Sequence, residues 1–100
     1  MRALAAEFAR AGQLEHVEPA FLELGQPDLA GAVARLAARG VRRMVVIPYF
    51  LTLGLHLERD LPVLVGQLIE AYPGIEICVT RPLEGHEALV QILLDRSKLE

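Results

Sequence analysis

Residues 43–50, RMVVIPYF, decide the fold. Met44 to Ile47 is an unbroken apolar run, the pattern of a strand buried on both faces of a parallel sheet. On its carboxyl side comes a loop, Leu51-Thr52-Leu53-Gly54-Leu55-His56. Asp60-Leu61-Pro62 then reads as a helix cap followed by a first-turn proline. Leu61, Leu64, Val65, Leu68, Ile69 and Tyr72 recur at helical spacing, and Pro73-Gly74 stops that helix. Residues 75–80, IEICVT, read as the next strand. Gly85-His86 leads into a last helix with Leu89, Ile92 and Leu93 facing inward.

On the amino side, Gly25-Gln26-Pro27-Asp28 opens a helix whose apolar positions Leu29, Val33, Leu36 and Ala37 share one face, and Gly40 closes it. Residues 17–22, VEPAFL, read as a strand with Pro19 near its start or at an edge. Residues 2–12 form an Ala- and Leu-rich helix that stops at Gly12. The element order is therefore α-β-α-β-α-β-α. Strands separated by helices run parallel with right-handed crossovers, which implies a three-layer α/β/α sandwich built on a small parallel sheet. The chain begins on a helix, although a unit of this kind opens on a strand, so the sheet is expected to lack its first strand.

Composition sets the outer bounds. One hundred residues suit one domain, and a hydrophobic share of 53% is enough for a core. The 10 Lys and Arg are scattered against 13 Asp and Glu, which argues against a nucleic-acid partner. No apolar run approaches the roughly 18–20 residues of a membrane span. Glu7 and Arg10 interrupt any signal-like start, so the cytoplasm is the expected location. The single cysteine, Cys78, lies inside an apolar run and reads as a small buried hydrophobe.

In open parallel sheets, ligands bind beyond the carboxyl ends of the strands. There the reading delivers Glu23 from the first strand, Thr52 to Glu58 with His56 from the second, and Arg81, Glu84 and His86 from the third. His16 falls at the amino end and reads as a surface residue. A neutral imidazole suits borderline divalent metals, and a carboxylate can complete the shell or accept protons. Spacing alone nevertheless favours a solvated glutamate and a loop histidine without a ligand. No Gly-rich phosphate loop is present, which argues against a nucleotide.

Three stretches carry a resemblance: VEPAFLELGQPDL at 17–29, RRMVVIPYFLTLGLHLERDLP at 42–62 and YPGIEICVTRPLEGHEAL at 72–89. Together they resemble the short CbiX and SirB metallochelatases of the cobalamin and siroheme pathways, in order over residues 1–96. The most specific pieces are Phe21-Leu22-Glu23, the pattern of Gly54, His56, Asp60 and Pro62, and the segment Pro82 to Leu89. The resemblance implies a chelatase-like, flavodoxin-like half fold and insertion of Co²⁺, alternatively Fe²⁺ or Ni²⁺, into sirohydrochlorin, with no organic cofactor. It makes His56 and Glu23 the metal and catalytic residues, His56 holding the metal loosely and Glu23 accepting protons or serving as a further weak ligand.

The apolar face of the macrocycle would meet Phe50, Leu51, Leu53 and Leu55, and its carboxylates Arg59 and Arg81. His86 is either a second metal or substrate contact on the same rim or a loop histidine beside the first helical turn. Solvated surface for the arginines and core packing for the leucines stay open as readings. The family also carries a histidine in a His-Gly-Ser segment ending its opening strand, which residues 1–100 do not contain. The chain therefore reads as N-terminally truncated relative to the family, with a homodimer or a rearranged sheet expected to cover the gap. The competing reading is a non-catalytic chelatase-like protein that binds metal or tetrapyrrole.

Overall fold

The computed structural model describes residues 2–22, 25–50 and 54–98, and of residues 55 and 56 the backbone alone. The chain forms two compact units, residues 1–42 and 43–100.

The first unit holds helices α1 (Arg2–Gly12) and α2 (Leu29–Ala38). Helix α1 ends where the sequence suggests, but Gly12 is its last helical residue and the left-handed position falls on Gln13, at φ 52°. Gln13 N–H donates to the Arg10 carbonyl and Leu14 N–H to that of Ala9, so the exposed end of the helix satisfies two of its carbonyls. Helix α2 starts at Asp28, whose carboxylate accepts from Gly31 N–H at 2.8 Å. It buries Leu29, Ala32 and Val33 and ends in the same double-bonded way on Gly40, at φ +86°.

The strand expected at residues 17–22 does not form among the described residues. This segment makes only an isolated parallel bridge, Phe21 to Asp28, with Phe21 N–H donating to the Pro27 carbonyl at 2.9 Å. Pro19 has no N–H to give to a ladder, and the partner the segment finds is its own return loop rather than another strand. What fixes it is ionic. The Glu18 side chain, only 9% exposed, lies 3.0 Å from Arg39 and 3.8 Å from Arg35 of α2. Gly25, at φ +117°, closes the loop. A Cβ there would come within 2.9 Å of the Phe21 ring, so the position demands glycine on both conformational and steric grounds.

The second unit contains β1 (Arg43–Val46), α3 (Leu55–Ala71), β2 (Glu76–Val79) and α4 (Glu87–Arg96). The strands pair in parallel, Arg43 with Glu76 through Val46 with Val79. Helix α3 packs on β2. Its Leu61, Val65 and Leu68, at the spacing of one helical face, are buried in the unit that also buries Met44 and Ile77. Leu64 and Ile69, expected in the same stripe, remain substantially exposed on its flanks.

Several expectations need correction. The sheet among the described residues has two strands rather than three. Strand β1 stops at Val46 instead of residue 50, because Pro48 cannot continue the ladder. Cys78 is exposed, not buried: it sits opposite Val45, which is 53% exposed, on the face away from Met44 and Ile77. Its thiol donates to the Met44 carbonyl at 3.7 Å. Asp60 does not cap α3. That helix begins at Leu55 with Gly54 as its N-cap, and Pro62 lies inside it. Glu58 N–H already bonds to the Gly54 carbonyl, so the turn before the proline closes without help from Asp60, and the proline removes one bond from a 17-residue helix. In α4 no residue is buried; Leu89 is half-buried, while Ile92 and Leu93 face solvent.

Candidate functional site

The carboxyl ends of β1 and β2 meet at one rim of the second unit. Thr80 N–H donates to the Val46 carbonyl at 2.9 Å, extending the sheet by one bond. Leu83 N–H then donates to the Phe50 carbonyl, also at 2.9 Å. This second bond ties the segment leaving β1 to the segment leaving β2, although neither is strand. Phe50 stands at the rim with 37% of its surface open. Arg81 and Glu84 are exposed on the β2 segment, and Arg59 is exposed on the second turn of α3.

His56 is not a loop residue. It is the second residue of α3. Its side chain, with that of Leu55, lies outside the described residues, as do Glu23, Leu51 and Leu53 in full. The structure therefore brings the segments of Phe50, Arg81 and His86 together on one rim, and assigns no distance between His56 and Glu23. Among the described residues no cluster of three or more His, Cys, Asp and Glu side chains is arranged to hold a metal.

His86 is the N-cap of α4. Its Nδ1 accepts from Ala88 N–H at 3.0 Å, the role that a serine or aspartate oxygen fills elsewhere. Gly85, at φ +83°, makes the turn before it, and His86 N–H donates to the Leu83 carbonyl. His86 thus stands at the first turn of α4, on the segment that leaves β2. His16 is exposed and lies 3.8 Å from Glu15, its neighbour in sequence.

Sequence reasoning missed an apolar groove. It encloses about 340 Å³ and is lined by Leu61, Pro62, Val65, Gly66, Ile69 and Val79, with Glu58 at its polar end. A Cβ at Gly66 would meet nothing within 4 Å. The signal was present in the sequence: Pro62, Gly66 and Ile69 fall along one side of α3, next to the buried stripe.

The CbiX family model matches residues 1–99. The chain belongs to the CbiX family. Among its relatives, the chloroplastic sirohydrochlorin ferrochelatase of Arabidopsis thaliana is 36% identical over 80 residues, covering 80% of this chain and 36% of that protein. The sirohydrochlorin cobaltochelatase of Sulfurisphaera tokodaii is 32% identical over 80 residues, covering 80% of this chain and 63% of the relative. The chain thus spans between about a third and two thirds of the length of these two relatives. A solved CbiX protein of cobalamin biosynthesis from Marinobacter aquaeolei superposes with a TM-score of 0.72 at 28% identity, over 95% of this chain and 81% of that one. This likeness agrees with the small parallel α/β fold described above.

Proposed function

We propose that this CbiX-family chain is a sirohydrochlorin metallochelatase that inserts Co²⁺, or alternatively Fe²⁺, into the macrocycle. The observation that carries the reading is the family match over residues 1–99. It gains support from relatives named for sirohydrochlorin with cobalt and with iron. Metal insertion replaces two pyrrole N–H bonds by metal–nitrogen bonds and releases two protons, so the site needs a metal donor that lets go and a proton acceptor. In this reading His56 holds the incoming metal through a neutral imidazole, and Glu23 takes up protons or adds a weak ligand.

Phe50 and Leu53 would lie against the apolar face of the macrocycle, and Arg59, Arg81 and His86 would meet its carboxylates. The placement of Phe50, Arg81 and His86 on one rim supports this assignment. We also propose a homodimer. The supporting observation is apolar surface on single elements: Val90, Leu93 and Leu94 of α4 are all more than half exposed. The cytoplasm is the proposed location.

The test is to mix the purified protein with sirohydrochlorin and either Co²⁺ or Fe²⁺ and follow the macrocycle's absorbance. Insertion faster than in a protein-free control, and slowed in Glu23→Gln, supports the reading. Rates equal to the control with both metals refute it.

A further inference from the structure

Glu18 is a largely covered carboxylate that the proposed reaction leaves without a part. Its side chain is 9% exposed, whereas those of Arg35 and Arg39, 3.8 and 3.0 Å away, are 54% and 51% exposed. The two arginines stand one turn apart at the carboxyl end of α2, so Glu18 is gripped at that end. At the amino end of α2, Phe21 N–H donates to the Pro27 carbonyl and Asp28 caps the first turn. Between these two anchors lie Pro19 and Ala20 alone. Pro19 fixes its own φ and disfavours helical backbone at Glu18, so this link is stiff. Glu23 follows two residues beyond the second anchor, and Gly25 brings the backbone back against the Phe21 ring.

A strand takes its lengthwise position from a ladder of bonds to its neighbour. Residues 17–22 have an isolated bridge instead, and a single hydrogen bond leaves rotation about itself open. The ion pairs of Glu18 supply the second fixed point. We propose that Glu18 is a positioning residue for metal insertion: held by Arg35 and Arg39, it sets the segment from which Glu23 acts, and it touches neither metal nor macrocycle. The proposal rests on the chelatase reading above, in which Glu23 takes up the pyrrole protons. A proton acceptor works within hydrogen-bond reach of the proton, and a misplacement of about 1 Å can cost about a hundredfold in rate. The two glutamates thus have separate roles, Glu23 toward the substrate and Glu18 toward α2.

The experiment uses the full chain and follows Co²⁺ insertion into sirohydrochlorin by the wild type, Glu18→Gln, Glu23→Gln and the double variant, each at matched folded concentration. Glutamine keeps the shape of Glu18 and one acceptor oxygen, but loses the charge that holds the two arginines. Glu18→Gln is expected to lower kcat by about tenfold to a hundredfold with KM for sirohydrochlorin within about twofold, because the defect lies in the step and not in binding. In the double variant the loss should be no greater than in Glu23→Gln alone, since Glu18 acts through Glu23. Combined Arg35→Gln and Arg39→Gln break the same pairs from the exposed side of α2 and should reproduce the kcat loss, which keeps the test decisive if Glu18→Gln does not fold. Wild-type kcat in Glu18→Gln or in the arginine variant, a loss carried by KM, or losses that multiply in the double variant overturns the inference and leaves the chelatase reading standing. Insertion by the wild type no faster than in a protein-free control overturns both.

Discussion

Replacing Gly25 by alanine probes the loop that carries Glu23. Gly25 sits at φ +117°, and a Cβ there would lie 2.9, 3.1 and 3.2 Å from three atoms of the Phe21 ring. Gly40 is the matched control, at φ +86° with nothing within 4 Å of its Cβ position. Alanine at either site takes on positive-φ strain of about 1–2 kcal/mol. Both changes also remove similar backbone entropy from the unfolded chain, a gain of about 0.4–1 kcal/mol that cancels in the comparison. Only Gly25→Ala adds overpacking against an aromatic ring, about 1–3 kcal/mol. The Gly25 variant should therefore be the less stable of the two by about 1–3 kcal/mol. With a urea slope of about 2 kcal/mol per molar, mid-range for small proteins, the midpoints separate by about 0.5–1.5 M. In a Phe21→Ala background the excess should shrink, because the Cγ and both Cδ atoms that the methyl meets are gone. Equal midpoints for Gly25→Ala and Gly40→Ala, or an excess that survives in Phe21→Ala, would refute the close approach of Gly25 and Phe21.

Other outcomes follow from the same geometry. Asp28→Ala removes the side-chain cap of α2 and should cost about 0.5–2 kcal/mol by urea denaturation, with Asp28→Ser recovering most of it. Leu68→Ala opens a hole in the α3 stripe and should cost about 2–5 kcal/mol, whereas Leu93→Ala, 68% exposed, should cost well under 1 kcal/mol unless it lies in the proposed dimer contact. Measuring the second variant at two protein concentrations separates those cases. Cys78 should react with a thiol reagent in the folded protein without denaturant, and protection until unfolding would restore the buried reading.

Helix positions were legible because their signals are local. Asp28 and Gly40 bracket α2, and Leu61, Val65 and Leu68 repeat at the spacing that α3 buries. The core of β1 and β2 was legible from their β-branched runs. Their extent was not, since Pro48 ends the ladder inside an apolar stretch that still reads as strand. Residues 17–22 failed as a strand for a non-local reason: whether an extended segment joins a sheet depends on a neighbour's free edge, and here Glu18 finds Arg35 and Arg39 instead. Cys78 was misread because a continuous apolar run was taken to mean two covered faces, while the face shared with Val45 is open.

At the site, the rim with Arg81 and His86 came from one rule about strand ends, and Phe50 from the family resemblance. That His56 belongs to a helix was hidden by Asp60-Leu61-Pro62, which mimics a helix start six residues after the real cap at Gly54. The capping role of His86 had no strong sequence signal, because histidine is an uncommon N-cap.

In the proposed function this chain inserts a divalent metal into sirohydrochlorin, with His56 as the metal-holding residue. The most direct measurement is the initial rate of Co²⁺ insertion by the wild-type chain and by His56→Ala at matched folded concentration. A wild-type rate clearly above the protein-free control, falling to that control in His56→Ala, is the predicted result. Equal rates for the two proteins, or no rate above the control for either, would contradict it.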